Sequence, residues 1–130
     1  MSGCVARVLL RSRVPEWRLG EVAATLGKLS SDVCIARRGT HWDFAADPDP
    51  NNASRDWHAP RHYTLDLVDT ETHDYDWEST LLAHDLLFED APEGFVLNGP
   101  IGDSLDRDFC RALSLQLAEQ FGGFDLGLAT

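Results

Sequence analysis

The sequence predicts a single α+β domain in which a mostly antiparallel sheet packs with about three helices. Residues 62–68 (HYTLDLV) alternate between apolar and polar side chains, which is typical of a half-buried strand. Residues 32–37 and 40–45 are short strand-forming runs separated by a turn, so they predict a hairpin. Residues 104–121 carry apolar side chains at helical spacing. Neighbouring hairpin strands combined with helices favour this class over a doubly wound parallel sheet. A length of 130 residues suits one domain spanning 1–130.

The first half of the chain supplies a strand, a helix, the hairpin and a loop. Residues 4–10 (CVARVLL) are predicted as the first strand. A helix is predicted over residues 15–29, because Pro15 suits the first helical position and apolar residues follow at helical spacing. Those apolar residues are Leu19, Val22, Leu26 and Leu29. Residues 46–61 hold three prolines and two asparagines without periodicity. They predict a long loop, of a length that often serves binding.

The second half adds two helices and two strands to the strand at 62–68. Residues 69–75 form a polar acidic connection, and residues 76–89 predict a helix whose first acids suit the helix dipole. Residues 95–98 (FVLN) predict a short strand. The helix at 104–121 ends at a double glycine, which supplies the left-handed residue that helix ends prefer. Residues 124–130 are predicted as a final short strand or an ordered end. With the strand, the predicted order is β-α-β-β-β-α-β-α-β.

The charge of the chain is strongly negative and unevenly distributed. The net charge of −11 argues against non-specific nucleic-acid binding, whose affinity comes largely from Lys and Arg that neutralise phosphates. Between Arg61 and Arg107 lie 45 residues with twelve acids and no Lys or Arg. Such a segment creates a negative potential that attracts a cationic partner and accelerates their encounter. Aromatic residues, which are frequent in interface hot spots, lie in or beside this segment.

These features predict a surface that binds a protein. We expect a non-enzymatic inhibitor that neutralises a basic toxin or nuclease, without direct contact to nucleic acid or membrane. The expected contact residues are Asp69, Glu71, Asp74, Tyr75, Asp76 and Trp77, with Asp56 and Trp57 of the long loop as a second patch. A phage-encoded inhibitor of a host nuclease would use the same surface chemistry.

Two other interpretations of the acidic run stay open. It can be a solvated face that keeps the protein in solution. In that case the protein can be an adaptor or chaperone-like module that holds another protein in an apolar groove. The exposed side of the strand at 62–68 is the expected place for such a groove.

The sequence contains no motif that indicates catalysis, a metal or a cofactor. The patterns GxSxG, HExxH, CxxC, GxxxxGK and GxGxxG are all absent. We therefore expect no enzyme activity, no bound metal and no cofactor. The best enzymatic alternative is a general base at His58 or His62, oriented by the carboxylate of Asp56 or Asp66.

The cysteines and the N-terminus favour a cytoplasmic protein. Cys4, Cys34 and Cys110 are odd in number and lack paired spacing, so we expect reduced thiols packed as small apolar groups. The N-terminal MSGCVARVLLRSR has too short an apolar core for a secretory signal. No stretch of the sequence approaches the ~20 apolar residues of a membrane span.

The C-terminal third resembles a known family. An acidic helix is followed by a short strand into LNGP and then by FCRALSLQLAEQFGGFDLG. This arrangement is similar to that of small immunity proteins of bacterial polymorphic toxin systems. The resemblance covers about 35–40 residues. It implies a small, cytosolic, acidic α+β protein that neutralises a cognate toxin, and it implies a structural role for Asn98, Gly99, Pro100 and the double glycine.

Overall fold

The structure, a computed structural model, describes residues 2–30, 34–46, 61–72, 77–100 and 104–128. In this part of the chain the strands and helices follow the predicted order β-α-β-β-β-α-β-α-β. The predicted fold class, an α+β domain with a mostly antiparallel sheet and three helices, is confirmed.

Six antiparallel strands form one sheet at the centre of the fold. The strands are β1 (Ser2–Leu10), β2 (Cys34–Arg38), β3 (His41–Ala46), β4 (Arg61–Asp69), β5 (Glu93–Pro100) and β6 (Gly123–Leu128). Their spatial order is β2-β3-β4-β5-β1-β6, so the N-terminal strand lies between the two strands that come last in the chain. The helices are α1 (Gly20–Leu29), α2 (Trp77–Ala83) and α3 (Ser104–Phe121).

The first predicted helix is divided into a 3₁₀ turn at Glu16–Arg18 and the helix α1. Pro15 has extended backbone angles, with φ −68° and ψ 152°. The Arg18 amide donates to the Pro15 carbonyl at 2.9 Å, which closes the 3₁₀ turn before α1 starts. The proline therefore lies just outside the helical turns, not within them.

The helix predicted over 76–89 is shorter than expected, since α2 ends at Ala83. Asp85 adopts the left-handed conformation, with φ 57°. The Leu86 amide donates to the Leu81 carbonyl at 2.9 Å, and the Asp85 amide donates to the Leu82 carbonyl at 3.1 Å. These two hydrogen bonds form a Schellman motif, which satisfies the last carbonyls of the helix and turns the chain.

The sheet buries one apolar cluster on each of its faces. Because successive side chains of a strand point to opposite faces, Val8 and Leu10 join the main cluster with α1 and α3, whereas Leu9 joins a second cluster with α2. The buried members of the second cluster are Leu9, Trp77, Leu81, Ala91 and Val96. The predicted alternation of 62–68 is confirmed, because Tyr63, Leu65 and Leu67 lie in the main cluster.

The edge strand β6 is irregular. Its pairing with β1 shifts register between Ala6 and Val8. Gly127 has φ 73°, and its amide donates to Asp125 Oδ1 at 2.9 Å. This turn interrupts the flat edge that would invite another strand to pair with it.

None of the described helices combines the length and apolar character needed to cross a membrane. Residues 47–60, most of the predicted long loop, lie outside the described residues, as do residues 73–75 of the acidic connection and residue 76 of the predicted helix.

Candidate partner-binding surface

The acidic connection after β4 begins with a carboxylate that is held in place by the fold. Asp69 Oδ1 accepts hydrogen bonds from the amides of Glu71 at 2.9 Å and Thr72 at 3.3 Å, and its Oδ2 accepts from Arg13 at 2.9 Å. The Arg13 guanidinium lowers the pKa of Asp69, and the two backbone amides act in the same direction. Asp69 therefore fixes the start of the connection, while Glu71 two residues later is exposed.

Trp77, which the sequence analysis expects in the contact surface, lies in the core. Its side chain is 0% exposed and belongs to the second cluster, where α2 packs against the sheet. Gly94 of β5 leaves room for the indole, since a Cβ at that position would lie 2.8 Å from Trp77 Cη2. We therefore assign Trp77 to the core and leave it out of the contact surface.

Beside the second cluster lies a groove of about 400 Å³ with apolar walls and an acidic rim. We call it the acidic groove. It is lined by Glu71, Glu78, Leu81, Leu82, Leu86, Leu87, Phe88 and Glu89. Leu82 and Leu87 are 68% and 60% exposed, whereas Leu81 at the base is 2% exposed. The groove therefore presents apolar side chains to solvent among carboxylates.

Two consecutive turns shape the acidic groove. The Schellman motif at Asp85 brings Leu86 back to Leu81. The next turn is closed on both sides, because the Leu87 amide donates to Asp90 Oδ2 at 2.9 Å and the Asp90 amide donates to the Leu87 carbonyl at 3.0 Å. These bonds fix the backbone on which Leu87 and its neighbours stand. The groove is thus formed before any partner binds.

The charge around the acidic groove is negative. Glu71, Glu78 and Glu89 on its rim are all exposed. Arg13 lines an adjoining pocket of about 290 Å³ together with Glu71 and Glu89. Its guanidinium is 2.9 Å from Asp69 and 3.8 Å from Glu93, so two carboxylates already balance its charge.

The remaining expected contact residues cannot be placed on this surface. Asp56, Trp57, Asp74, Tyr75 and Asp76 lie outside the described residues.

The groove itself was not predicted from the sequence, although the adjacent pairs Leu81–Leu82 and Leu86–Leu87 carried a signal. In each pair one leucine packs toward the second cluster and the other faces solvent: Leu81 and Leu86 pack inward, whereas Leu82 and Leu87 are exposed.

The outer side of β4 is polar over residues 62–66, where the sequence analysis expects an apolar groove. His62, Thr64 and Asp66 alternate with the buried residues of β4, and Thr64 lies between Asp43 and Asn98 on the neighbouring strands. Together with His62, these three residues help to line a pocket of about 260 Å³. Val68, further along this side of β4, is apolar and packs against the second cluster.

His41 lies on the same polar part of this face, held between two carboxylates. Its Nδ1 is 2.6 Å from Asp66 Oδ1 and its Nε2 is 3.1 Å from Asp43 Oδ1. The hydrogen bond to Asp66 raises the pKa of His41 most, followed by the one to Asp43. Because both ring nitrogens face acceptors, the doubly protonated imidazolium fits this position and His41 is not arranged as a general base.

The described residues supply no carboxylate or metal site that would support a histidine general base. Asp66, one expected orienting carboxylate, is bound by His41, while His58 and Asp56 lie outside the described part of the chain. Among the residues that the structure describes, no three His, Cys, Asp or Glu side chains are grouped to hold a metal ion. Cys110 is a buried thiol in the main cluster.

Comparison with known proteins identifies no relative of this chain. The chain matches no model of a protein family, no curated protein and no solved structure.

Proposed function

We propose that the protein is a non-enzymatic inhibitor of the immunity-protein type, which binds and neutralises a basic toxin or nuclease. The observation that carries this proposal is the acidic groove, where exposed leucines and exposed carboxylates occur together. The proposed partner is a protein with a basic surface, met in the cytoplasm, and the proposed role needs no cofactor.

The apolar part of the groove supports a role in binding. Leu82 and Leu87 are two of the four large apolar side chains that are exposed among the described residues, and they share one groove. A contiguous apolar surface rimmed by polar residues commonly marks a protein contact. Covering these two leucines removes apolar area from water, which favours the complex.

The carboxylates determine which partner fits. Glu71, Glu78 and Glu89 repel phosphates and other anions, and they attract Lys and Arg. Proteins that act on nucleic acid carry Lys and Arg where the phosphates bind. An inhibitor with a net charge of −11 can occupy such a basic surface and compete with the nucleic acid for it.

The experiment that tests the proposal is capture of the partner with charge-reversal variants. The wild-type chain is compared in its native host with Glu71→Lys/Glu78→Lys and with the matched control Asp108→Lys/Glu119→Lys. The control reverses two exposed carboxylates on α3, so both variants change the net charge equally. We expect a basic protein that the wild type and the control retain, that the groove variant loses, and whose toxicity or nuclease activity the wild type suppresses.

Two results would contradict the proposal. One is a captured partner whose binding surface is acidic or neutral. The other is equal loss of binding in the groove variant and in the α3 control, because binding would then depend on net charge and not on the acidic groove.

An adaptor or chaperone-like module is the second candidate function, and the apolar walls of the same groove favour it. Such a module would bind through Leu82 and Leu87 with little contribution from the carboxylates. Binding that survives high salt and also survives the Glu71→Lys/Glu78→Lys change would favour the adaptor over the inhibitor.

A further inference from the structure

We infer that the occupant of the acidic groove is a peptide segment of the partner that carries one bulky apolar side chain between basic residues. This inference rests on the proposed function and specifies which part of a cationic protein docks. It uses three properties of the described residues: the size of the groove, the position of its carboxylates and its rigid backbone.

The size and walls of the groove fit a side chain. A volume of about 400 Å³ lies within the range of sites that enclose small ligands. Leu81 closes the base and Phe88 is half-buried, whereas Leu82 and Leu87 stand at the opening. A leucine, phenylalanine or tryptophan side chain inserted there would contact apolar atoms on several sides.

The carboxylates stand where residues flanking that side chain would lie. Glu78 precedes Leu82 by four residues in α2, so the two side chains share one face of the helix. Glu71 and Glu89 complete the rim. A wholly apolar segment would bury these carboxylates without partners, which is costly. Lys or Arg on both sides of the apolar residue would pair with them.

The backbone of the groove is held by hydrogen bonds on both sides of Leu86. The Schellman motif precedes it and the turn from Leu87 to Asp90 follows it. A site formed in advance loses little conformational entropy on binding, so a short segment suffices as an occupant.

The test uses three acetylated and amidated peptides, KRGFGRK, KRGSGRK and EEGFGEE, titrated into the full chain and followed by amide NMR. We expect KRGFGRK to bind about tenfold more tightly than KRGSGRK, because the phenylalanine ring is buried. The shifts are expected at Leu82, Leu87 and their neighbours. EEGFGEE is expected not to bind.

Paired variants separate the groove from the charge. Leu82→Ser/Leu87→Ser should remove the tenfold difference between KRGFGRK and KRGSGRK, while Leu115→Ser, a change of a 48% exposed leucine on α3, should preserve it. Glu71→Lys/Glu78→Lys should weaken both basic peptides. Thermal unfolding of each variant checks that the fold is retained.

The outcomes distinguish the two proposals. Equal binding of KRGFGRK and KRGSGRK, both weakened by the glutamate changes, overturns the apolar anchor but leaves the proposed function standing. If Glu71→Lys/Glu78→Lys weakens the binding of neither basic peptide, the result overturns both the inference and the proposed function. Self-association of the chain alone that disappears in Leu82→Ser/Leu87→Ser would show that a second copy fills the groove, and would overturn the inference.

Discussion

At the scale of single residues, the polar patch of His41, Asp43 and Asp66 on the sheet contains a histidine whose protonation is linked to folding. His41 and Asp66 are each 32% exposed, so water partly screens their interaction. Arg38 lies 3.5 Å from Asp43 and adds a fourth charged group to the row. The carboxylates favour the protonated imidazole in the folded state, because both ring nitrogens then donate.

The stability of the protein should therefore depend on pH through His41. Its pKa is raised in the folded state, so its contribution is fully present below the unfolded value of about 6.5 and is lost as pH rises through the folded value. His41→Gln should lower the free energy of unfolding in acid by at most about 1 kcal/mol, because the pair is partly solvated. Above the folded-state pKa, the difference from wild type should shrink.

Urea unfolding at about pH 5.5 and about pH 9, on either side of the ordinary histidine value, measures this effect. His84→Gln, a change of an exposed histidine after α2, serves as the control and should retain the pH dependence of the wild type. A gap between wild type and His41→Gln that is the same at both pH values would contradict the prediction.

A second residue-scale prediction concerns the close approach of Gly94 to Trp77. Gly94→Ala would place a Cβ 2.8 Å from Trp77 Cη2 and 2.9 Å from the Val8 carbonyl oxygen. Because neither group has room to withdraw, we expect a loss of about 1–3 kcal/mol in the free energy of unfolding.

The matched change is Gly27→Ala in α1, where a Cβ meets nothing within 4 Å. It should stabilise the protein by about 0.5–1 kcal/mol, because alanine is the better helix former. Urea unfolding followed by tryptophan fluorescence measures both variants. Similar effects of the two changes would show that Trp77 does not press on β5.

At the scale of elements, two helices end in the left-handed conformation with different residues. α3 is followed by Gly122, with φ 70°, and α2 is followed by the Schellman motif with Asp85 at φ 57°. Glycine adopts this conformation freely, whereas a residue with a Cβ is strained there. Introducing a glycine after α2 should therefore stabilise the fold, whereas replacing the glycine after α3 should destabilise it.

We expect Asp85→Gly to stabilise the protein by up to about 1 kcal/mol and Gly122→Ala to destabilise it by about 1 kcal/mol. Asp85→Asn removes the charge but tolerates the left-handed conformation, so it should behave like the wild type. Thermal unfolding measures all three. Stabilisation by Asp85→Asn as large as that by Asp85→Gly would assign the effect to charge and not to backbone strain.

The end of α2 also shows which features of the fold could not be predicted from the sequence. The strand at 62–68 and the helix at 104–121 were predicted well, because each has one buried side and shows its period directly. The end of α2 at Ala83 was not predicted, because the left-handed position after it is occupied by Asp85 and not by the glycine that usually marks a helix end. The burial of Trp77 and the acidic groove depend on α2 packing on a sheet formed by distant residues, which no local pattern records.

At the scale of the whole molecule, the charge distribution should set the rate at which the partner is met. For the captured partner, we expect the association rate constant to fall at least about tenfold between low and high ionic strength, while the dissociation rate constant changes little. Screening shortens the range of the attraction, whereas the apolar contacts of the groove persist.

Stopped-flow or surface-based kinetics at several salt concentrations measures both constants. Asp108→Lys/Glu119→Lys, on α3, should change the salt dependence less than Glu71→Lys/Glu78→Lys. An association rate that is independent of salt would exclude electrostatic attraction as the source of recognition and would favour the adaptor.

The position of β1 between β5 and β6 also governs when a newly made chain can work. Both neighbours of β1 come from residues 93–128, so its two edges stay unpaired until those residues have been synthesised. Pairing of strands so distant in sequence is slow, and synthesis proceeds at only about 5–20 residues per second. A chain built this way cannot complete its sheet before residue 128 has been made. The proposed inhibitor would therefore act only as the finished, folded chain.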